Sequence, residues 1–242
     1  MSAFLAANTF AVHIAVFRTA FNITVPKKGC FVGSAFGSRQ RGDKNMEQLK
    51  MYWLPGTPIE QYTLPEGYSI SMYKTDADKK AWCDCCRHGS LIADDADDNE
   101  EFYNKISGRK GIIPTEDVFF IDCNGEHIGT ITAYVHDDDN TGDIHMVAIR
   151  EDFRGKGLAK YLTTVALNHL ADKGVKYVHL TTDEFRASAV KSYLSGGFLP
   201  VEYDTGMQER WEKMLDKCNI DSVMMLREDA TEFKTIYRRT NK

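Results

Sequence analysis

The sequence predicts an α/β domain built on a mixed, mostly antiparallel sheet flanked by helices. Three observations carry this. The middle of the chain holds β-rich runs joined by tight-turn signals, which is the pattern of antiparallel hairpins. The later part alternates helical periodicity with short strand-like runs, which is the pattern of β-α-β units. At 242 residues with 43% hydrophobic side chains, the chain is long enough to bury a core on both faces of one sheet.

Each element follows from its own pattern. GYSISMYK (67–74) alternates as a strand does, and Asp76–His88 follows as a helix with acids at its start. Residues 96–107 read as a second helix and 108–115 as a loop. DVFFIDC (117–123) and HIGTITAYV (127–135) are strands turned at Asn124-Gly125, a strong hairpin signal. DIHMVAI (143–149) is a further strand, reached through a turn at 137–142. Leu158, Tyr161, Leu162, Val165, Ala166 and Leu170 then recur at helical spacing, with Gly174 placed to end the helix. Residues 177–182 form a strand, 187–195 a helix closed by Gly196-Gly197, and 198–203 a strand. An amphipathic helix over 207–218 and a last strand over 222–227 complete the order. The expected organisation is an N-terminal extension over 1–45, a lead-in over 46–64, one domain over 65–230 and a tail over 231–242.

Charge separates the first segment from the rest. The whole chain carries 30 Lys and Arg against 35 Asp and Glu, a net charge of −5. Residues 1–45 hold six bases and one acid, leaving −10 on 46–242. That acidity argues against a nucleic-acid partner, which requires a basic footprint. Met1–Ile14 has no Lys or Arg ahead of its apolar run, as a secretory signal needs, and Arg18 cuts the run too short to span a membrane. An acid-poor organellar presequence fits in part. The plainer reading is an extension upstream of a natural start at Met46, disordered or outside the mature domain. A cytoplasmic location with free thiols, and no membrane partner, is the expectation.

Two metal readings fail on spacing. Cys83, Cys85, Cys86 and His88 crowd into six residues of one helix, whereas zinc sites need a second, distant pair; they read as small apolar fillers. Asp137–Gly142 opens like a calcium loop, but its twelfth position is Ala148 where a bidentate Glu belongs. No metal is expected.

The stretch with chemistry is DIHMVAIREDFRGKGLA, 143–159. Glycines where a strand turns into a helix let consecutive backbone N–H groups converge, and the helix N-terminus adds its positive end. Arg154 and Lys156 add charge, so Arg154, Gly155, Lys156, Gly157, Leu158 and Ala159 form a candidate pyrophosphate cradle. No G-x-x-x-x-G-K-[ST] string exists, and a G-x-G-x-x-G fingerprint breaks at Lys160, so mononucleotide and NAD readings weaken.

These residues resemble a known family. Arg154-x-x-Gly157-x-Ala159 matches the [QR]-x-x-G-x-[GA] loop of the GNAT superfamily of acyl-CoA N-acyltransferases. Ala189-x-x-x-Tyr193-x-x-x-Gly197-Phe198 is similar to that family's A-x-x-x-Y-x-x-x-G-F segment, and the element order over about 65–230 agrees. The resemblance implies a central sheet whose fourth and fifth strands splay. It further implies acetyl-CoA as acyl donor, with backbone groups around Val147, Ala148 and Ile149 bonding the pantetheine and the acetyl carbonyl. Tyr193 would protonate the departing thiolate, its phenol being comparable in acidity to the thiol. Its competing reading is a core aromatic. Where the family has Asn, this chain has Arg186, which contacts CoA phosphate or an acidic substrate, or caps the loop. The base that activates the amine stays open among three residues. His145 shares strand parity with Val147 and titrates in the neutral range when unperturbed, while Asp183 and Glu184 follow the next strand.

The expected function is direct transfer of acetyl from acetyl-CoA to a primary amine of a small molecule or peptide, without a cysteine acyl-enzyme. The acidic field favours cationic acceptors. The rival reading is a non-catalytic acyl-CoA-binding module of the same fold. Either functions as a monomer or homodimer.

Overall fold

In a computed structural model, which describes residues 47–239, one sheet of nine strands organises the chain. The strands are β1 (Leu49–Trp53), β2 (Tyr68–Met72), β3 (Val118–Cys123), β4 (Glu126–His136), β5 (Thr141–Ile149), β6 (Val178–Thr182), β7 (Leu199–Glu202), β8 (Ser222–Arg227) and β9 (Glu232–Tyr237). Their spatial order is β2-β3-β4-β5-β6-β1-β7-β8-β9. Only β5–β6 and β7–β8 are parallel; every other neighbouring pair is antiparallel. The helices are α1 (Asp76–His88), α2 (Asp98–Phe102, running on as a wider turn through Ser107), α3 (Pro114–Asp117), α4 (Ala159–Asp172), α5 (Ala187–Ser195) and α6 (Met207–Cys218).

Strand alternation divides the core. Phe119, Ile121, Ile131 and Ala133 point to the face packed by Leu162, Ala166 and Leu170 of α4. Val118, Phe120 and Tyr134 point the other way, against Trp82, Cys83 and Cys86 of α1 and Phe102 of α2. The three clustered cysteines are therefore buried packing groups. The acidic turn at 137–140 is held by its own backbone and side chains, with Asp139 accepting from the N–H and hydroxyl of Thr141.

Two strands lie outside the domain bounds expected from sequence. Leu49–Trp53, assigned to a lead-in, is an interior strand between β6 and β7, with Leu49, Met51, Tyr52 and Trp53 buried. Its partners lie more than a hundred residues away, so no local turn signal marks it. Glu232–Tyr237, assigned to a tail, pairs along β8 as the edge strand. Pro114–Asp117 is a short helix where a loop was expected: Pro114 suits a first helical turn, and Asp117 accepts from the Ile113 N–H at 2.7 Å. The expected extension over 1–45 lies outside the described residues.

Candidate active site

The site begins where two parallel strands part. β5 and β6 pair only at Gly142–Val178 and Asp143–His179. Beyond that point β6 continues against β1, while the β6-facing edge of β5 has no ladder partner. On its other edge β5 carries a bulge: Thr130 pairs with Ala148 but Thr132 with His145, so Met146 and Val147 together face Ile131. Met146, in this bulge, takes the left-handed conformation at φ +54°.

Beside this edge lies a cleft of about 910 Å³. Val147, Ala148 and Ile149 line it, followed by Phe153 and the loop from Arg154 to Ala159 with α4 behind. Gly155 and Gly157 sit at φ +75° and +69°, and a Cβ on either would meet no atom within 4 Å, so they are needed for the backbone turn and not for room. Among the described residues, the N–H groups of Gly155, Lys156, Gly157 and Leu158 find no protein acceptor. Leu158 as N-cap supplies no side-chain bond to α4. Unpartnered donors at a helix N-terminus, with Arg154, Lys156 and Lys160 around them, fit an anionic pyrophosphate.

Two arginines brace the opposite wall. Arg154 donates through Nε to the Ile149 carbonyl at 3.1 Å and through its terminal nitrogen to the His88 carbonyl. Arg186 donates to the carbonyls of Gly89 and Ser90 at 3.0 and 3.1 Å. Both guanidinium groups thus meet the negative C-terminal end of α1, and Gly89 is pressed so near β5 that a Cβ there would stand 2.9 Å from that of Ala148. Arg186 caps this turn while remaining on the cleft wall.

Tyr193 lines the cleft from α5, packed edge-on to Phe198 at 5.8 Å and 8% exposed. Burial pushes its phenol up to about 12, against the pull of Arg186. The expectation of an acidity comparable to a free thiol is therefore corrected by burial. Burial acts on sulfur in the same direction elsewhere in the chain: desolvation lifts the buried Cys83 and Cys85 thiols to about 12.

None of the three candidate bases lines the cleft. The bulge at Met146 reverses the parity read from sequence, so His145 faces away from Val147 and toward α1, with Nε2 3.1 Å from Arg109. Burial, then Arg109, lowers it to about 4, so it does not titrate near neutral pH. Asp183 accepts from Gln48 at 3.1 Å and lies 3.7 Å from Arg186. Glu184 is paired with Arg210 at 2.5 Å. Sequence reasoning missed the segment 57–62, whose Thr57, Pro58, Ile59, Glu60 and Tyr62 border the cleft. Tyr62 sits under Lys160 Nζ at 4.2 Å, a cation–π contact joining that segment to the start of α4.

A sheet that opens between parallel strands, with a turned glycine loop leading into a helix at the gap, defines an α/β domain with a cleft whose unpartnered N–H groups could hold an anion. The comparisons narrow the class. Residues 80–198 match the model of the Acetyltransferase (GNAT) family. The mycothiol acetyltransferase of Streptomyces coelicolor is 30% identical over 161 residues, covering 62% of this chain and 49% of that protein. The mycothiol acetyltransferase of Thermomonospora curvata is 27% identical over 157 residues, covering 64% and 52%. The chain thus spans about half the length of these curated relatives. A solved GCN5-related N-acetyltransferase from Sphaerobacter thermophilus aligns over 64% of this chain and 49% of that one, at 17% identity and a TM-score of 0.49. No helix of the described residues is long and apolar enough to cross a membrane.

Proposed function

We propose that this chain transfers an acetyl group from acetyl-CoA directly to a primary amine, the acceptor being a small molecule or peptide. The observation that carries the reading is the meeting of three things at one cleft: the free edge of β5, the unpartnered N–H groups of Gly155–Leu158, and Tyr193. When bound, acetyl-CoA supplies the activated thioester. The glycine loop would hold its pyrophosphate, and the backbone of Val147–Ile149 would bond pantetheine and polarise the acetyl carbonyl. The acceptor nitrogen forms the new C–N bond as the C–S bond breaks, and Tyr193 gives the leaving sulfur its proton. A phenol near 12 suits that duty because a thiolate born in the same desolvated cleft is a correspondingly stronger base.

Proton removal from the acceptor has no resident group inside the cleft among His145, Asp183 and Glu184. Asp183 and Glu184, at the end of β6, are the proposed route through water; His145, neutral and tied to Arg109, is the weaker candidate. The names of the curated relatives support a small-molecule acceptor, and the acidic surface favours a cationic one.

A screen of amines with acetyl-CoA, read by free-thiol release, tests this. Acceptor-dependent thiol release and a product heavier by one acetyl group are expected. Tight acetyl-CoA binding with no acceptor-dependent release across amino sugars, polyamines, amino-thiols and peptides would favour the non-catalytic binding module.

A further inference from the structure

Outside the cleft, ligating chemistry gathers at the root of the splay. His136 ends β4, Asp143 lies on β5, and His179 stands opposite Asp143 on β6. His136 Nε2 is 3.4 Å from one Asp143 oxygen, and His179 Nδ1 is 3.9 Å from the other. The two imidazoles lie nearly parallel, at 11°, with centroids 5.4 Å apart, and all three ligand atoms fall within 4.8 Å of one another. We propose that His136, Asp143 and His179 form a site for a borderline divalent cation of the zinc class, with three protein ligands and a fourth position open to solvent.

The donor set suits that metal: two imidazoles and a carboxylate are common zinc ligands, and three protein ligands leave one position free. Bonds of about 2.0–2.1 Å set tetrahedral ligand atoms roughly 3.3 Å apart. Two of the three separations, 3.4 and 3.9 Å, already approach this, and the third lies within 4.8 Å, so closure needs at most about 1.5 Å of approach. The ligands stand on three hydrogen-bonded strands, which limits how far they can drift. An outer shell is in place, since Tyr134 donates to Asp143 at 2.8 Å and Arg109 donates in turn to Tyr134 at 3.1 Å. The Arg109 charge is thereby bonded to Tyr134 and His145, one step behind the ligands. Entry is open, because the His136 and His179 side chains are 35% and 26% exposed. The residues are far apart in sequence, so no spacing motif announces them. A bound ion would tie β4, β5 and β6 together where β5 and β6 diverge.

The full chain, stripped with a chelator, should bind one equivalent of Zn²⁺ by calorimetry and one of Co²⁺ by visible absorption. His136→Ala and His179→Ala should each weaken binding at least tenfold, while His88→Ala leaves it unchanged. The Co²⁺ spectrum should lack thiolate charge-transfer intensity, which separates this site from Cys83–Cys86. His136 is partly exposed, so its variant should keep the metal-free melting temperature and decides the matter alone if His179→Ala fails to fold. Absence of binding, binding indifferent to His136→Ala, or a thiolate signature would overturn the proposal. Each readout is independent of acetyl transfer.

Discussion

A proton donor to a leaving thiolate has to hold its proton until the C–S bond breaks. Tyr193 meets that condition through burial, which keeps the phenol neutral far above physiological pH. In the proposed transfer its loss removes general-acid help while leaving the glycine cradle untouched. Tyr193→Phe should therefore lower turnover by about 10²–10⁴-fold with acetyl-CoA affinity nearly unchanged; equal turnover would remove the role. The pH profile of the wild type near neutrality should owe nothing to this phenol. His145 has the opposite shift and a consequence for stability. Its folded value of about 4 lies below the ordinary 6.5, so between these values the unfolded chain binds a proton that the folded chain refuses. Stability should fall as pH drops from 6.5 through 4, by on the order of 3 kcal/mol from this group. Urea melts of His145→Gln against wild type at pH 7 and pH 4.5 should show a smaller acid loss in the variant; parallel losses would show that burial does not hold His145 neutral.

At the scale of elements, β1 is the strand whose meaning is least local. Met51 is fully buried and pairs across to Leu180 on one side and Pro200 on the other. Met51→Ala should cost about 2–5 kcal/mol in chemical denaturation, as for a core cavity; a change under 0.5 kcal/mol would contradict an interior position. Local chemistry explains which elements were legible. α5, α6 and β8 match their sequence-read bounds because periodicity, the Gly196-Gly197 stop and strand propensity all agree over short range. The turned backbone at Gly155 and Gly157 was legible for the same reason, since glycine spacing dictates backbone shape by itself. β1 and β9 were not, because a five- or six-residue strand without a flanking hairpin turn is defined by partners remote in the chain. The face of His145 was hidden by a single inserted residue at Met146: a bulge costs no special residue type, yet it turns over everything on one side of it. The outer wall of the cleft, at 57–62, carries no motif because its place is fixed by packing against α4 and against Gly197, both remote in the chain.

Across the whole molecule, the cleft joins segments that are distant in sequence: 57–62, the end of α1, β5, the glycine loop, α4 and α5. A ligand that bridges them binds the folded chain and not the unfolded one, so its affinity appears as global stability. The field supports that binding locally. Arg154 and Lys160 border the cradle and Lys156 lies in its loop, in a stretch of chain whose net charge is −10, marking one attractive point for an anion on a repelling background. At a hundred times its dissociation constant, acetyl-CoA should add about 2.7 kcal/mol. For a domain of this size that corresponds to a rise in melting temperature of roughly 5–10 °C. CoA itself should give a comparable rise, because the pyrophosphate contacts are common to both. Gly157→Val isolates the cradle's part. A Cβ at this position meets no atom within 4 Å, so the main effect comes from forcing a β-branched residue to φ +69°. That cost should lower the ligand-free melting temperature by a few degrees, since the left-handed penalty is about 1–2 kcal/mol. It should also re-aim the N–H groups that meet the pyrophosphate and so abolish most of the acetyl-CoA shift. A wild-type melting curve unmoved by millimolar acetyl-CoA would remove the donor from the proposed reaction. A full shift retained in Gly157→Val would leave the donor but move its phosphates elsewhere in the cleft.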